Sequence, residues 1–181
     1  MISVKKLNKE DLQRCAIAEG FVRWVSSAGD RGKEELREML RERLRDGNDV
    51  WGALDDDTLV GFAVVAPWAV LPGGRALDSM EVAAPHRGKG IGTEIVKRLL
   101  DEQDTILGLT PYPEAGFEED LEQFYERFGF RHVTTDVMVR MPSNRERLSR
   151  WVRHLERLVD LYDSLLRAVK SRIKEAEEPS E

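Results

Sequence analysis

Apolar residues recur along the chain in two periods, and the switches between them mark out its elements. Ile2 to Lys6 alternates and predicts a first strand. Asn8, with Asp11 three residues on, is a loose helix-start pattern. Leu12, Cys15, Val22 and Val25 then predict a helix interrupted or bent near Gly20. Leu36, Leu40 and Leu44, with Met39 beside them, predict a second helix from about Lys33 to Arg45, and Gly47 stands where a left-handed cap belongs. Val50 to Leu54 and Thr58 to Trp68 read as strands turning through Asp55, Asp56 and Asp57. A turn at Pro72, Gly73 and Gly74 leads to a third strand, Ala76 to Val82, so the three form an antiparallel meander. A glycine-rich stretch from Arg87 to Gly92 precedes a helix with Ile91, Ile95 and Leu99 on one face, and Thr105 to Leu109 is a further strand. Phe117, Leu121, Phe124 and Phe128 repeat at helical spacing until Gly129, and Phe130 to Met141 returns to strand, with a turn near Thr135 and Asp136.

Beyond Pro142 the pattern becomes one long helix. Leu148, Trp151, Leu155, Leu158, Tyr162, Leu165 and Val169 are spaced alternately three and four, and Val152, Val159, Leu166 and Ile173 add a further column. Such a stripe is wider than a two-column coiled-coil seam and suits packing in a groove or a helical dimer. The organisation expected is a domain over residues 1–142, a helical extension over 143–175 that makes a homodimer, and an acidic disordered tail over 176–181.

Composition narrows the function classes. A chain of 181 residues, 41% hydrophobic and 34% charged, is most simply one globular domain. A net charge of −6, from 28 basic and 34 acidic residues, argues against nucleic acid or an anionic membrane as partner, and the arginines at 145, 147, 150, 153 and 157 read as a solvated face. The single cysteine, Cys15, leaves no internal disulfide and points to a cytoplasmic setting, where it serves packing. No stretch has the length and apolarity of a signal peptide or a membrane span.

Chemistry concentrates at Val82-Ala83-Ala84-Pro85-His86-Arg87-Gly88-Lys89-Gly90-Ile91-Gly92, which joins a strand to a helix. Glycines there let backbone N–H groups approach a ligand, and the helix start adds unpaired donors and about half a positive charge. That combination suits a phosphate or pyrophosphate. A Walker-type loop is excluded because no lysine precedes Thr93, and a dinucleotide fingerprint because the glycines fall two and two apart after an antiparallel meander. Arg87, Gly90 and Gly92 do match the coenzyme A loop of the GNAT superfamily, Arg or Gln, two residues, Gly, one residue, Gly or Ala, with Val82 and Pro85 also at the family's positions. Phe124-Tyr125-Glu126-Arg127-Phe128-Gly129-Phe130 resembles the family's second signature. Residues 1 to 141 thus resemble a GNAT acetyltransferase.

The resemblance implies an α+β fold, a mixed and mostly antiparallel central sheet flanked by helices, here with a long C-terminal helix added. It also implies acetyl-CoA as cosubstrate, held by Val82, Arg87, Gly88, Lys89, Gly90, Ile91, Gly92 and Thr93. The acetyl group would pass directly from sulfur to an amine, with an N–H of the strand ending at Val82 facing the thioester oxygen. Tyr125 is the implied acid for the departing thiolate, and Asp78 or Glu81 the candidate base, although strand alternation puts only one of them inward without a bulge. A catalytically idle coenzyme-binding or interaction module is the alternative reading. The family's pantetheine-holding asparagine is replaced by Glu118, after a distinct loop, and Trp68, Tyr112 and Glu114 are candidates to line the acceptor site. An acidic protein with acidic site residues leans toward cationic acceptors. His86, His132 and His154 are scattered without metal-ligand spacing, and Asp55 to Asp57 lack the pattern of a calcium loop, so no metal is expected.

Overall fold

Most of the predicted elements form where the patterning puts them, and the largest departure lies before Gly29. The computed structural model describes residues 2–69, 71–102, 105–112 and 118–177. Strand β1 (Ile2–Lys6) leads into α1 (Lys9–Arg14). The Asn8 side chain accepts the Asp11 N–H at 2.8 Å, and the Asp11 carboxylate accepts the Asn8 N–H at 3.0 Å. This capping box contributes on the order of 1 kcal/mol.

The helix expected to continue through Val22 and Val25 stops at Arg14. Cys15 is extended, and β2 (Ala16–Ile17) is drawn onto the sheet. Residues 18–28 form a loop in which only Phe21 is fully buried, 5.8 Å from the Phe62 ring. The bend expected at Gly20 is a left-handed residue, φ +94°, pressed against a neighbouring segment: a Cβ there would lie 2.6 Å from Pro85 Cδ. No helix could pass so close, so a tertiary contact overrides the local period.

Helix α2 (Gly29–Arg45) begins four residues earlier than the expected Lys33. Ala28 offers no cap, and Glu35 reaches back to accept the Ser26 N–H at 2.7 Å and the Ser27 N–H at 3.2 Å. The C-terminus closes through Gly47 at φ +79°, with Asn48 N–H on the Arg43 carbonyl and Gly47 N–H on that of Leu44. Strands β3 (Asp49–Asp55), β4 (Thr58–Pro67) and β5 (Arg75–Val82) make the expected antiparallel meander. They are followed by α3 (Ile91–Glu102), β6 (Leu107–Leu109), α4 (Glu118–Glu126), β7 (Arg131–His132) and β8 (Met138–Arg140). Strand β6 is two residues shorter at its start than the expected Thr105 to Leu109. The expected helix start at Phe117 lies outside the described residues, and the chain reverses at Gly129, φ +85°.

The strand order is β1-β3-β4-β5-β6-β8-β7, with β2 parallel to β4 on its own and β5 parallel to β6. All other pairs are antiparallel. The sheet separates two apolar layers. Ile91, Ile95, Leu99, Tyr125 and Phe130 from α3, α4 and the turn after it pack with Trp51, Leu77 and Leu107 on one face. Leu12, Leu36 and Leu40 from α1 and α2 pack with Val50, Phe62 and Val64 on the other. Each buried leucine or phenylalanine contributes roughly 1.5–3 kcal/mol, which fixes which face every strand presents.

The chain divides into two compact units between Met141 and Pro142. The second unit is α5 (Arg145–Glu177), 33 residues long. Val159, Leu161, Tyr162, Leu165, Leu166, Val169 and Ile173 are each more than half exposed along it. Among the described residues no helix is long and apolar enough to cross a membrane.

Candidate active site

The site is built on a defect in pairing between β5 and its neighbours. Against β4, the register passes from Val64↔Ser79 to Val65↔Leu77, leaving Asp78 as an extra, bulged residue. Leu77 and Met80 therefore share the α3 face, whereas unbroken alternation would have set them on opposite sides. Asp78 instead meets Arg43 of α2 at 3.1 Å, and Glu81 meets the loop over residues 18–28. The bulge thus brings both candidate carboxylates to one face of the sheet, which simple alternation forbids.

On its other edge, β5 is paired to β6 only at Arg75 and Ala76. Strand β6 ends at Leu109, so from Leu77 to Val82 this edge of β5 has no strand partner among the described residues, an open edge on the order of 20 Å long at ~3.3 Å per residue. The Ala83 N–H bonds the Val60 carbonyl, so antiparallel alternation turns the backbone groups of Val82 and Met80 toward the open edge. The Arg87 guanidinium donates to the Val82 carbonyl at 3.1 Å.

A cavity of about 590 Å³ occupies this region, walled by Met80 and Val82 of β5, the loop over residues 86–90 and the first turn of α3. Gly88 and Gly90 adopt φ +72° and +79°, and a Cβ on either would meet nothing within 4 Å, so both present bare backbone to open space. Glu94 N–H bonds the Gly90 carbonyl, which leaves the N–H groups of Ile91, Gly92 and Thr93 without an intrahelical acceptor. His86, Arg87 and Arg127 line the cavity against a single carboxylate, Asp120, so it is cationic overall when the arginines are charged. Of the eight residues expected to hold the coenzyme, seven line this cavity; Lys89 is exposed and does not.

Tyr125 is buried, with its ring edge-on to Phe124 at 5.1 Å and to Phe130 at 5.7 Å. Its hydroxyl makes no hydrogen bond among the described residues. Burial pushes its pKa up to about 12, and the Arg23 guanidinium nearby pulls slightly the other way. The Arg23 backbone in turn donates to Glu81 Oε1 at 3.3 Å, beside Val22 N–H at 2.8 Å, and Arg87 Nη2 lies 3.8 Å from the same oxygen. Glu81 is 4% exposed, and its Oε2 has no partner among the described residues; neither has the hydroxyl of Ser79, 5% exposed and on the same strand. Arg23 thus touches Glu81 through its backbone, and its charge acts weakly on the Tyr125 hydroxyl. A second cavity, about 190 Å³, lies between this loop and the start of α2.

The other candidates separate. Trp68 packs on β6, where a Cβ at Gly108 would lie 2.6 Å from its ring, at the level where β5 and β6 are still paired. Tyr112 is 69% exposed, and Glu114 lies outside the described residues. Glu118 opens α4. Burial raises the Cys15 thiol, which disfavours the thiolate and fits a packing role. No group of three or more His, Cys, Asp or Glu able to hold a metal occurs among the described residues. Patterning gave Asp120, Leu121, Phe124 and Arg127 no place in the cavity wall, although Phe124 and Arg127 stand in the second signature; their i, i+1, i+4, i+7 spacing was the available signal. Arg23 and Ser79 had no signal beyond their neighbours.

Comparison with protein families matches residues 46–132 to the acetyltransferase (GNAT) domain. Comparison with curated proteins gives no match. Solved structures of similar fold include an acetoin utilization protein from Exiguobacterium sibiricum, 15% identical with a TM-score of 0.62, covering 83% of this chain and 92% of that one. A ribosomal-protein-alanine N-acetyltransferase from Brucella melitensis is 22% identical, TM-score 0.52, over 77% and 99% of the two chains. A mutant AtaT toxin bound to the C-terminus of the antitoxin AtaR and acetyl-CoA is 13% identical, TM-score 0.54, over 79% and 94%.

Proposed function

We propose that the chain, whose residues 46–132 match the acetyltransferase (GNAT) domain, is a member of that superfamily and transfers an acetyl group from acetyl-CoA directly to a primary amine. The observation that carries this reading is the open edge of β5 with a cationic, glycine-lined cavity against it, whose wall residues Met80, Val82 and Phe124 are the chain neighbours of Glu81 and Tyr125. The N–H groups of Ile91, Gly92 and Thr93 and the Arg87 and Arg127 side chains receive the pyrophosphate and phosphate charge. Backbone N–H groups of β5, Val82 foremost, face the thioester oxygen as it gains charge.

Glu81 Oε2, unpartnered, accepts the proton that the amine must lose, while two backbone N–H groups hold Oε1 in place. Asp78, paired to Arg43, is less suited to this task. As the C–N bond forms and the C–S bond breaks, sulfur needs one proton, and Tyr125 stands protonated to give it. Transfer of the amine proton through Glu81 to solvent and re-protonation of Tyr125 balance the reaction. The test is calorimetric titration with acetyl-CoA, followed by release of free thiol across a panel of amines. A folded sample that binds no acetyl-CoA overturns the proposal; binding without turnover of any amine leaves an idle coenzyme-binding module.

We also infer that α5 pairs with α5 of a second copy. Its apolar stripe is exposed over residues 159–173. Those seven exposed apolar side chains would be covered by the same stripe of a second copy. The lone, buried Cys15 fits a reducing, cytoplasmic setting.

A further inference from the structure

We propose that the acceptor amine carries an oxyanion group, a carboxylate or phosphate, and that the Arg23 side chain binds it while Glu81 and Ser79 face the amine. This rests on the acetyl-transfer reading above and names the class of acceptor within it.

Unpartnered groups on the acceptor face carry the inference. Asp78 is paired with Arg43 at 3.1 Å, Lys33 serves both Glu19 and Asp30 at 3.2 Å, and Glu35 accepts the Ser26 and Ser27 N–H groups. Glu81 Oε1 holds the Val22 and Arg23 N–H groups, which fixes the Arg23 backbone against the β5 carboxylate. The Arg23 side chain is exposed and has no carboxylate partner among the described residues. Among the described residues the acceptor side therefore presents a cation without a carboxylate partner and two buried, unpartnered oxygens, Glu81 Oε2 and Ser79 Oγ.

A molecule complementary to that arrangement has an ammonium or amine donor for the two oxygens and an oxyanion for the guanidinium fork. A polyamine satisfies only the first half and meets repulsion from Arg23. The local geometry thus points away from the cationic acceptors that the acidic composition suggested.

The experiment compares matched acceptors on the full-length protein, reading kcat/KM by free-thiol release. One arm pairs each of the protein amino acids with its amide; the other pairs glucosamine 6-phosphate with glucosamine. The expected result is a preference of about tenfold or more for the anionic member in one arm, the size of one charge-assisted hydrogen bond. Which arm shows it separates carboxylate from phosphate. Arg23→Ala should bring that ratio near one, and Arg23→Lys should keep part of it. Uncharged members turned over as well as their anionic partners, spermidine preferred to both, or a ratio unchanged in Arg23→Ala would each overturn the inference. Titration with acetyl-CoA on the same preparations distinguishes the two levels: intact coenzyme binding with the wrong preference removes only the Arg23 assignment, while no coenzyme binding removes the parent reading and this one with it.

Discussion

Replacing Tyr125 with phenylalanine removes one oxygen from a site where the consequences can be worked out in advance. The hydroxyl has no hydrogen bond among the described residues, so its loss orphans no partner, and the ring keeps its contacts with Phe124 and Phe130. Folding stability at neutral pH should change by less than about 1 kcal/mol. In the proposed reaction the hydroxyl meets sulfur only as negative charge develops there. A hydrogen bond to a charged group contributes about 1.5–3 kcal/mol. The variant should therefore lose about ten- to 150-fold in kcat, at roughly ten-fold per 1.4 kcal/mol, with affinity for acetyl-CoA nearly unchanged.

The pH dependence sharpens the test. Burial holds the Tyr125 pKa at about 12, so the hydroxyl stays protonated across pH 6 to 10 and the ratio of wild-type to variant rate should stay flat there. The same shift acts on stability. An acid whose folded pKa lies above its unfolded value of about 10 contributes fully below pH 10 and loses that contribution as pH rises through 12. Two pKa units correspond to about 2.7 kcal/mol, so chemical denaturation should show the wild type losing about that much relative to Tyr125→Phe between pH 10 and 12. A wild-type rate in a variant that binds coenzyme would refute the acid role. A rate ratio already collapsing near pH 9 would refute the buried environment.

Three other substitutions test separate parts of the site. Gly90→Val puts a branched side chain at φ +79° into space that is open in the free protein; calorimetry should show acetyl-CoA affinity falling by about tenfold or more, the size of roughly one pyrophosphate contact, while thermal unfolding registers strain of about 1–2 kcal/mol. Glu81→Gln keeps an oxygen for the Val22 and Arg23 N–H groups and removes the proton acceptor; kcat should drop by about 100-fold with coenzyme binding retained, and an unchanged pH–rate profile would point to solvent as the base. On α5, Leu165→Arg with Val169→Asp alters only exposed positions, so sedimentation should show wild-type dimer and variant monomer at unchanged helix content; equal sedimentation of the two would dismiss the pairing.

How far the sequence disclosed this site depended on whether the determining forces were local. The loop from Arg87 to Gly92 was legible because its glycines answer a local demand, left-handed backbone at Gly88 and Gly90 ahead of a helix start. The meander, the capping box at Asn8 and the turn at Gly47 were legible for the same reason. Residues 18–25 were read as a helix interrupted or bent near Gly20 because their apolar spacing is helical, whereas their path is set by β4 and by Pro85, neither of them neighbours in sequence.

The bulge at Asp78 shows why the rest was hidden, and why it matters. Nothing in Arg75 to Val82 announces an extra residue; the shift satisfies two cores at once, sending Leu77 and Met80 to one and turning Glu81 toward the loop on the other. The same few residues have no partner on the β6 side, so that a single strand presents backbone donors to that open edge, apolar side chains to the proposed coenzyme cavity and a buried carboxylate to the loop over residues 18–28. A regular strand could serve the cavity and the core, but its alternation would set Asp78 and Glu81 on opposite faces. The bulge resolves that conflict, so the order of carboxylates along β5 gains its chemical meaning only from pairing with β4.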